Sequence, residues 1–461
     1  MLSKMIENER DLQDGFSKIL LINPPLFTIL SKYKKSQTNI WPPIGLLSVA
    51  SFLRNKGVEV EFLDLVMLNK PIEELLDKIS RLNPQLIGLT CMSTQFPVCV
   101  NIARLLKKNF DIPIAFGGVH PTVEPEEVLS EPCVDFVIRG EGEMSIYNLV
   151  SALATNTSLD NIKGLGYKDR NGGLIINPLQ EPIKDLDRLP LPAYDLLNME
   201  RYIKYNQLEC GFRAISMIVS RGCIFPCSFC ATKAVHGSHV RSRSPARVIK
   251  DIKQLTDEYD IEGVWFKDST FTINREWILK LCKELIKKEV NIKWSCNTRT
   301  DKVDLFLLKS MKEAGCQSIW FGVESGSIEI LKNLKKPIPI EITKKAFEMC
   351  KEIKIEPRAF FMLGSPGERI ETIKQTLDLA QELYKLGCKH IHWHIFNPLP
   401  GSELYRNLKK KGYKCVDYSA IRFDKATYGT EFLNTKQINQ IYNIILDHFP
   451  NNSRILKSLK W

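Results

Sequence analysis

No run in this 461-residue chain approaches the ~20 consecutive apolar residues that a membrane-spanning helix needs. The first 18 residues are charged and lack the apolar stretch of a secretory leader. No internal repeat and no low-complexity tract is present, which argues against solenoid and fibrous classes. No stripe of interleaved basic and aromatic residues stands out, so no nucleic-acid partner is expected. A G-x-G-x-x-G turn after the first strand is missing, which makes a nicotinamide reading poor. These absences lead to a cytoplasmic protein with no transmembrane segment.

What is present is ordinary in bulk. Hydrophobic residues make up 44% and charged residues 25%, as in a soluble globular protein with a sizeable core. Lys plus Arg number 64 against 53 Asp plus Glu, a net charge of +11. The surplus is spread over KYKK (32–35), RSRS (241–244), LKKP (334–337) and LKKKGYK (408–414), a mild attraction for anions rather than one basic patch. The 13 cysteines are odd in number, and most stand singly in apolar patterns where a free thiol acts as a small hydrophobe. A reducing compartment fits that usage.

The first ~150 residues alternate short apolar runs with helical patterns. Strands are expected at 18–25, 58–65, 85–91, 112–118 and 134–140, with helices such as 45–57 and 72–82 between them. Such alternation predicts a parallel sheet covered on both faces, with ligands outside the C-terminal strand ends. Residues 155–208 differ: a hairpin is expected around Asn171, Gly172 and Gly173, followed by the proline-rich DLDRLPLPAYDLL. From 214 to 400 the alternation returns, with strands expected at 214–220, 263–267, 292–297, 317–323, 357–364 and 389–396. Six βα units suit a partial barrel with its reactive residues at the C-terminal strand ends. The expected fold class is α/β, a Rossmann-like (flavodoxin-like) domain at 1–154, a connector at 155–208, a partial (β/α)6 barrel at 209–405 and a helical region at 406–461.

One loop carries the chemistry. In SRGCIFPCSFCATK, Cys223, Cys227 and Cys230 give a C-x3-C-x2-C spacing, three thiolates and no fourth. A closed zinc site wants four ligands, and an ordinary [4Fe–4S] cluster wants four cysteines. Three would leave one iron open to a small molecule. His236 or His239 could instead complete a zinc site, which would make the chain a zinc-stabilised, non-enzymatic binding module. The loop's place after a β-like run and before a long α/β region is not finger context.

Further strings strengthen the cluster reading. VWFKDSTF (264–271), GVESG (322–326) and FMLGSPGE (361–368) follow the cysteine loop in order. INPP (22–25), WPPIGLLSVASFLR (41–54), GGVHPT (117–122), RGEGE (139–143) and PLPGSELY (398–405) surround them. Over roughly residues 18–400 the chain resembles the radical SAM superfamily, and within it the cobalamin-binding class B methyltransferases. The resemblance implies a [4Fe–4S] cluster on Cys223, Cys227 and Cys230, whose open iron chelates S-adenosylmethionine (SAM) and yields a 5′-deoxyadenosyl radical. It implies SAM contacts from Asp268, Ser269, Glu324, Ser325 and Gly364. The second-strand motif often has two acids, and Ser269 replaces one of them. Cobalamin would lie on Gly117, Gly118, His120, Pro121 and Thr122 and on Gly140, Glu141, Gly142 and Glu143. The D-x-H-x-x-G motif of cobalamin mutases is absent, and this subfamily generally holds cobalt without a histidine beneath it.

Strand alternation puts Ser295, Asn297 and Arg299 on one face, and His390, His392 and His394 on another. Arg299 would suit a carboxylate or phosphate. His392 and His394 are candidates for substrate contacts or proton carriers, with hydrogen-bonded barrel histidines the alternative. The expected activity is methylation of an unactivated carbon of a small molecule, with an electron donor such as flavodoxin or ferredoxin. Radical oxidation or cyclisation without methyl transfer is the rival. A methylthiotransferase would need a second N-terminal cluster, and Cys91, Cys99 and Cys133 lack its pattern.

Overall fold

The computed structural model describes residues 18–25, 41–68, 70–413, 418–452 and 454–455. The KYKK run at 32–35 and Cys415 lie outside the described residues. Two compact units divide the chain: residues 1–184, 188–198 and 234–236 form the first, and residues 185–187, 199–233 and 237–461 the second.

The first unit is built on strands β1 (Lys18–Asn23), β2 (Glu59–Asp64), β3 (Leu86–Thr90), β4 (Ile114–Gly117), β5 (Phe136–Ile138), β6 (Leu165–Lys168) and β7 (Leu174–Ile176). They lie in the order β2-β1-β3-β4-β5-β6-β7. The first five are parallel. Central β1 reads as a continuous apolar run because both faces are covered, and Ile19 to Ile22 are fully buried. The helices Ile44–Asn55, Phe96–Asn109 and Gly142–Thr155 supply that cover. The order 2-1-3-4-5 is the flavodoxin-like winding, whose switch point lies between β1 and β3.

The expected hairpin has its strands at β6 and β7, and both add antiparallel to the edge of this sheet. The hairpin is therefore part of the first layer rather than a free connector. Its turn is longer than a two-residue one: Asp169 Oδ1 accepts the backbone N–H groups of Asn171 and Gly173, each at 2.7 Å.

The second unit holds β8 (Ala214–Met217), a short antiparallel ribbon of β9 (Ser220–Arg221) and β10 (Arg241–Ser242), then β11 (Gly263–Phe266), β12 (Lys293–Thr298), β13 (Cys316–Glu324), β14 (Glu356–Leu363) and β15 (Ile391–Ile395). Its main sheet has six parallel strands, β8-β11-β12-β13-β14-β15, with β8 and β15 unpaired at the edges. Helices return the chain between strands, and side chains fix where they start. Ser244, Asn274 and Asp304 each accept an N–H of the first helical turn, at 3.1, 3.1 and 2.8 Å. The sequence places these elements within one to three residues of their observed ends. The tail adds helices Glu403–Lys410 and Thr435–His448, the latter packing against β15. Among the described residues, no helix is long and apolar enough to cross a membrane.

Candidate functional site

All six parallel strands of the second unit point their C-terminal ends at one rim, and the sequence motifs fall on that rim. The cysteine loop leaves β8 and is pinched shut by the β9–β10 ribbon. Gly222 turns the chain there at φ +97°, where a Cβ would collide with the His239 carbonyl. The loop is latched from within the unit. Ser228 N–H donates to the Leu334 carbonyl at 3.0 Å, and the Ser228 carbonyl accepts Leu404 N–H at 2.8 Å. Cys223 and Cys227 are half-buried and Cys230 is exposed.

The sulfurs are met by donors. Arg299 Nη1 lies 3.7 Å from Cys227 Sγ. Thr232 N–H donates to Cys230 Sγ at 3.5 Å, and Thr232 Oγ1 lies 3.2 Å from the same sulfur. Burial pushes the Cys227 thiol up, while Lys336 and Arg299 pull it the other way. Such donors suit thiolate ligands of an iron–sulfur cluster, whose charge they offset. His236 Nδ1 sits 3.3 Å from Glu141 Oε1.

Arg299 is thus fixed beside the loop. It forms a two-pronged pair with Asp301, at 2.9 Å for each prong, and its guanidinium lies 3.7 Å over the Phe225 ring. With one face on an aromatic and two donors on a carboxylate, this arginine is engaged by the cysteine loop and by Asp301.

Asp268 is also turned inward. It is 2% exposed and accepts from Ser220 N–H at 2.6 Å, from Val219 N–H at 3.2 Å and from the Ser220 hydroxyl. Burial raises its carboxyl to about 6 against those bonds. It braces the backbone that enters the cysteine loop. Ser269 is exposed at the rim.

Glu324 ends β13 at φ +66°, a conformation uncommon for a residue with a Cβ. The strand slips register between Gly322 and Glu324. Its Oε1 meets Lys336 Nζ at 2.7 Å, and Lys336 also donates to the Gly322 carbonyl at 2.8 Å. The pair is largely buried, and Gly322 leaves the room: a Cβ there would sit 2.6 Å from Glu324 Oε1. Ser325 faces away and meets Thr376 Oγ1 at 2.9 Å. Gly364 turns at φ +80°, and its N–H donates to Glu368. Burial lifts the Glu368 carboxyl to about 8.

Deeper in the half-barrel, Trp265, Trp320 and Phe360 stack at 5.9 and 4.9 Å between ring centres. His392 sets its ring against Trp320 at 4.7 Å and lies 3.9 Å from Glu209. His394 faces Phe360 and Phe423. Burial lowers both histidines, His394 to about 4. Lys267 lies 2.7 Å over the Trp265 ring, and burial lowers it to about 7.

In the first unit, the candidate loops follow β4 and β5. Gly118 adopts φ +105°, with the Cys91 backbone where a side chain would start. Thr122 Oγ1 donates to the Gly118 carbonyl at 2.6 Å and accepts Gly140 N–H at 2.9 Å, stapling the two glycine loops together. His120 is fully buried, Nδ1 3.1 Å from Ser93 Oγ and its ring 4.4 Å from Phe96. Pro121 is buried beside it. Glu141 Oε2 accepts Ile183 N–H at 3.0 Å, and Glu143 Oε1 accepts the Ser48 hydroxyl at 2.8 Å. Gly142, which opens the helix Gly142–Thr155, sits against Ile138. What the strand ends offer a ligand is backbone at Gly117, Gly118 and Gly140 and an exposed Met92 after β3. A side-chain-poor, partly apolar ledge fits a large flat ring.

Residues 33–150 match the family model described as the B12 binding domain, and residues 217–380 match the Radical SAM superfamily. An uncharacterized methyltransferase of Pyrococcus horikoshii is 31% identical over 390 residues, covering 84% of this chain and 82% of that protein. The chain belongs to the radical SAM superfamily. It carries that superfamily's B12-binding arrangement. The anaerobic magnesium-protoporphyrin IX monomethyl ester cyclase of Rubrivivax gelatinosus is 29% identical, covering 90% of this chain and 73% of the relative. The cytidylyl-2-hydroxyethylphosphonate methyltransferase of Streptomyces wedmorensis is 26% identical, covering 91% and 86%. Among solved structures, the radical SAM methyltransferase TsrM of Kitasatospora setae aligns with a TM-score of 0.72 at 17% identity, over 86% of this chain and 75% of its own. The cobalamin-dependent enzyme OxsB gives 0.73 at 20%, over 97% and 70%. These two share the fold.

This radical SAM chain has residues at its rim that motif reading passed over. Lys336 reads as part of a solvated LKKP run, yet it is buried beside Glu324. Lys267, just past the end of β11, and Arg358, on β14, fall where strand alternation could have found them. Arg358 lies 5.0 Å from the Trp320 ring, and its Nε and the Trp320 Nε1 are buried with no partner among the described residues.

Proposed function

We propose that this radical SAM protein is a cobalamin-dependent methyltransferase acting on an unactivated carbon of a small molecule. The observation that carries the reading is one chain joining an open three-cysteine loop, held at a half-barrel rim, to a 2-1-3-4-5 sheet with glycine-edged strand ends. When bound, the cluster and SAM supply a carbon radical, and cobalamin supplies a methyl group that such a carbon cannot take from SAM by nucleophilic attack. The chain's own residues do the positioning. Cys223, Cys227 and Cys230 would hold three irons. Arg299 and Thr232 direct donors at the sulfurs. Asp268 fixes the loop's entry, and the Lys336–Glu324 pair sets charge at the rim. Ser269, the β13 end and the Gly364 turn would bound SAM. Gly117, Gly118 and Gly140 would bound the cobalamin ring, with His120, Thr122, Glu141 and Glu143 as the frame beneath. His392, His394 and the Trp320–Phe360 stack would face a small-molecule substrate. One-electron carriers such as flavodoxin or ferredoxin would reduce the cluster, in a reducing cytoplasm.

Incubation with methyl-deuterated SAM tests the reading. Label in the product supports methyl transfer. A transformed but unlabelled product would favour oxidation or cyclisation, the reading that the similarity to the Rubrivivax cyclase keeps in view. Failure of the reduced, reconstituted protein to release 5′-deoxyadenosine would overturn both.

A further inference from the structure

The loop that carries the cysteines is bonded directly to a strongly basic helix that the proposed chemistry leaves unused. Leu404 N–H donates to the carbonyl of Ser228, between Cys227 and Cys230. From there the helix Glu403–Lys410 runs outward, and Arg406, Lys409, Lys410 and Lys411 are all exposed on it or just past its end. At 1.5 Å per residue, Lys411 lies about 10 Å along the axis from Leu404. Lys332 and Lys335 join this surface from the segment whose Leu334 carbonyl holds Ser228, and both are exposed. These segments hold six cations and two acids: Glu403 is paired with one of the six, Lys335, at 2.6 Å, and Glu329 with Arg369 at 2.7 Å.

Beneath the cations lies an aromatic layer. Lys409 Nζ stands 5.8 Å over the Tyr405 ring. Tyr405, Tyr413, Tyr428 and Phe396 follow at ring spacings of 6.4, 6.1 and 5.7 Å. Tyr428 packs in one cluster with Leu404 and with Phe229, the residue before Cys230. Densely packed rings therefore run from the charged rim to the cysteine loop.

We propose that this basic surface is the docking site of a small acidic one-electron carrier protein. The inference rests on the cluster reading above. The partner's acidic rim would meet Arg406, Lys409, Lys410, Lys411 and Lys332, which steers encounter and orients the carrier over the loop. The step balances with one electron: it leaves the carrier's reduced cofactor, which is oxidised by one equivalent, and enters the cluster, which is reduced by one. No bond forms or breaks.

Binding of oxidised flavodoxin to the full chain, followed through its flavin, tests the surface without turnover. The triple variant K409E/K410E/K411E should bind about tenfold or more weakly at low salt, and the wild-type affinity should fall as salt rises. The control K283E/K287E/K288E, an equal charge reversal on and just after the helix Arg275–Lys287, should bind as wild type. In the same variants, 5′-deoxyadenosine formation driven by dithionite should be unchanged, while that driven by reduced flavodoxin drops with the affinity. Equal affinity of the triple variant and wild type overturns the proposal. So does equal weakening by the control, which would make the effect one of net charge. Preference of this surface for anionic vesicles, with flavodoxin binding untouched by them, overturns it in favour of a membrane. A wild-type protein inactive with dithionite would instead sink the cluster reading, whatever its affinity for flavodoxin.

Discussion

In the first unit the strand-end loops carry glycines, and polar side chains near them are tied to their own scaffold. Thr122 staples Gly118 to Gly140, Glu143 holds Ser48, and His120 lies buried by Phe96. In the second unit the strand ends carry charge and sulfur: three thiols, the Arg299 guanidinium and the Lys336–Glu324 pair. The difference follows from what each rim would hold. A broad ring can be held by shape and backbone, whereas a charged metal cluster and a zwitterionic SAM need opposed charges and thiolates. Damage to the second unit should therefore act through side chains, and damage to the first through backbone geometry.

The largest expected effect is at sulfur. Cys227→Ala should abolish the cluster's visible absorbance and all 5′-deoxyadenosine release, because a cluster with two anchors is not held. Thr122→Val, a near-isostere in the first unit, should leave that absorbance intact. Loss of the cluster signal in the Thr122 variant would erase the distinction between the units.

Next comes the buried pair. Lys336→Ala leaves Glu324 without its ion-pair partner in a largely buried corner, and the loss of one partner typically costs about 3–5 kcal/mol. Removing Arg81 from its exposed pair with Asp77 in the first unit should cost under about 0.5 kcal/mol. Urea unfolding of the two variants measures both, and equal effects would contradict the burial of Lys336.

The same contrast separates what the amino-acid sequence makes legible from what it hides. Period and motif order give the six parallel strands and the five of the first sheet, since an apolar strand such as β1 advertises its burial. The cysteine loop is legible because its spacing supplies three thiolates and no fourth, and because further motifs follow it in order. The direction of a side chain at a strand end is not legible. Arg299 reads as a free anion ligand, but the Phe225 ring and Asp301, both supplied by tertiary packing, take its face and its donors. Lys336 reads as solvated because nothing local reveals the Gly322 gap that admits it. The hairpin's attachment to β5 depends on a pairing across a helix, which periodicity does not encode.

One titrating group in each unit responds to pH with opposite sign. Burial holds the Glu368 carboxyl at about 8 against an ordinary 4.5. The unfolded chain gives up that proton first, so the stability present below pH 4.5 is lost as pH rises through 8. His120 runs the other way: burial lowers it from 6.5 to about 4, so its contribution is present above 6.5 and lost as pH falls toward 4. Glu368→Gln should flatten the loss of unfolding free energy between pH 4.5 and 8, and His120→Gln the loss as pH falls from 6.5 to about 4. A Glu368→Gln protein with an unchanged slope between pH 4.5 and 8 would mean that the carboxyl is not held neutral.

The smallest effect tests the backbone claim alone. Gly118 combines φ +105° with a Cys91 carbonyl oxygen 3.1 Å and an amide nitrogen 3.2 Å from the place of a Cβ. Gly57, in the same unit at φ +81°, has nothing within 4 Å of that place. Both pay for a left-handed conformation when changed to alanine, about 1–2 kcal/mol. Only Gly118→Ala must also push β3 and β4 apart at their ends, so it should be the more destabilising by about a further 1 kcal/mol. If the strand-end backbone is itself the ledge for a flat ring, Gly118→Ala should in addition weaken cobalamin retention on gel filtration, and Gly57→Ala should not. Equal retention by both variants would move the ring-binding surface away from the Gly118 loop and leave the glycine there as a packing requirement of the sheet.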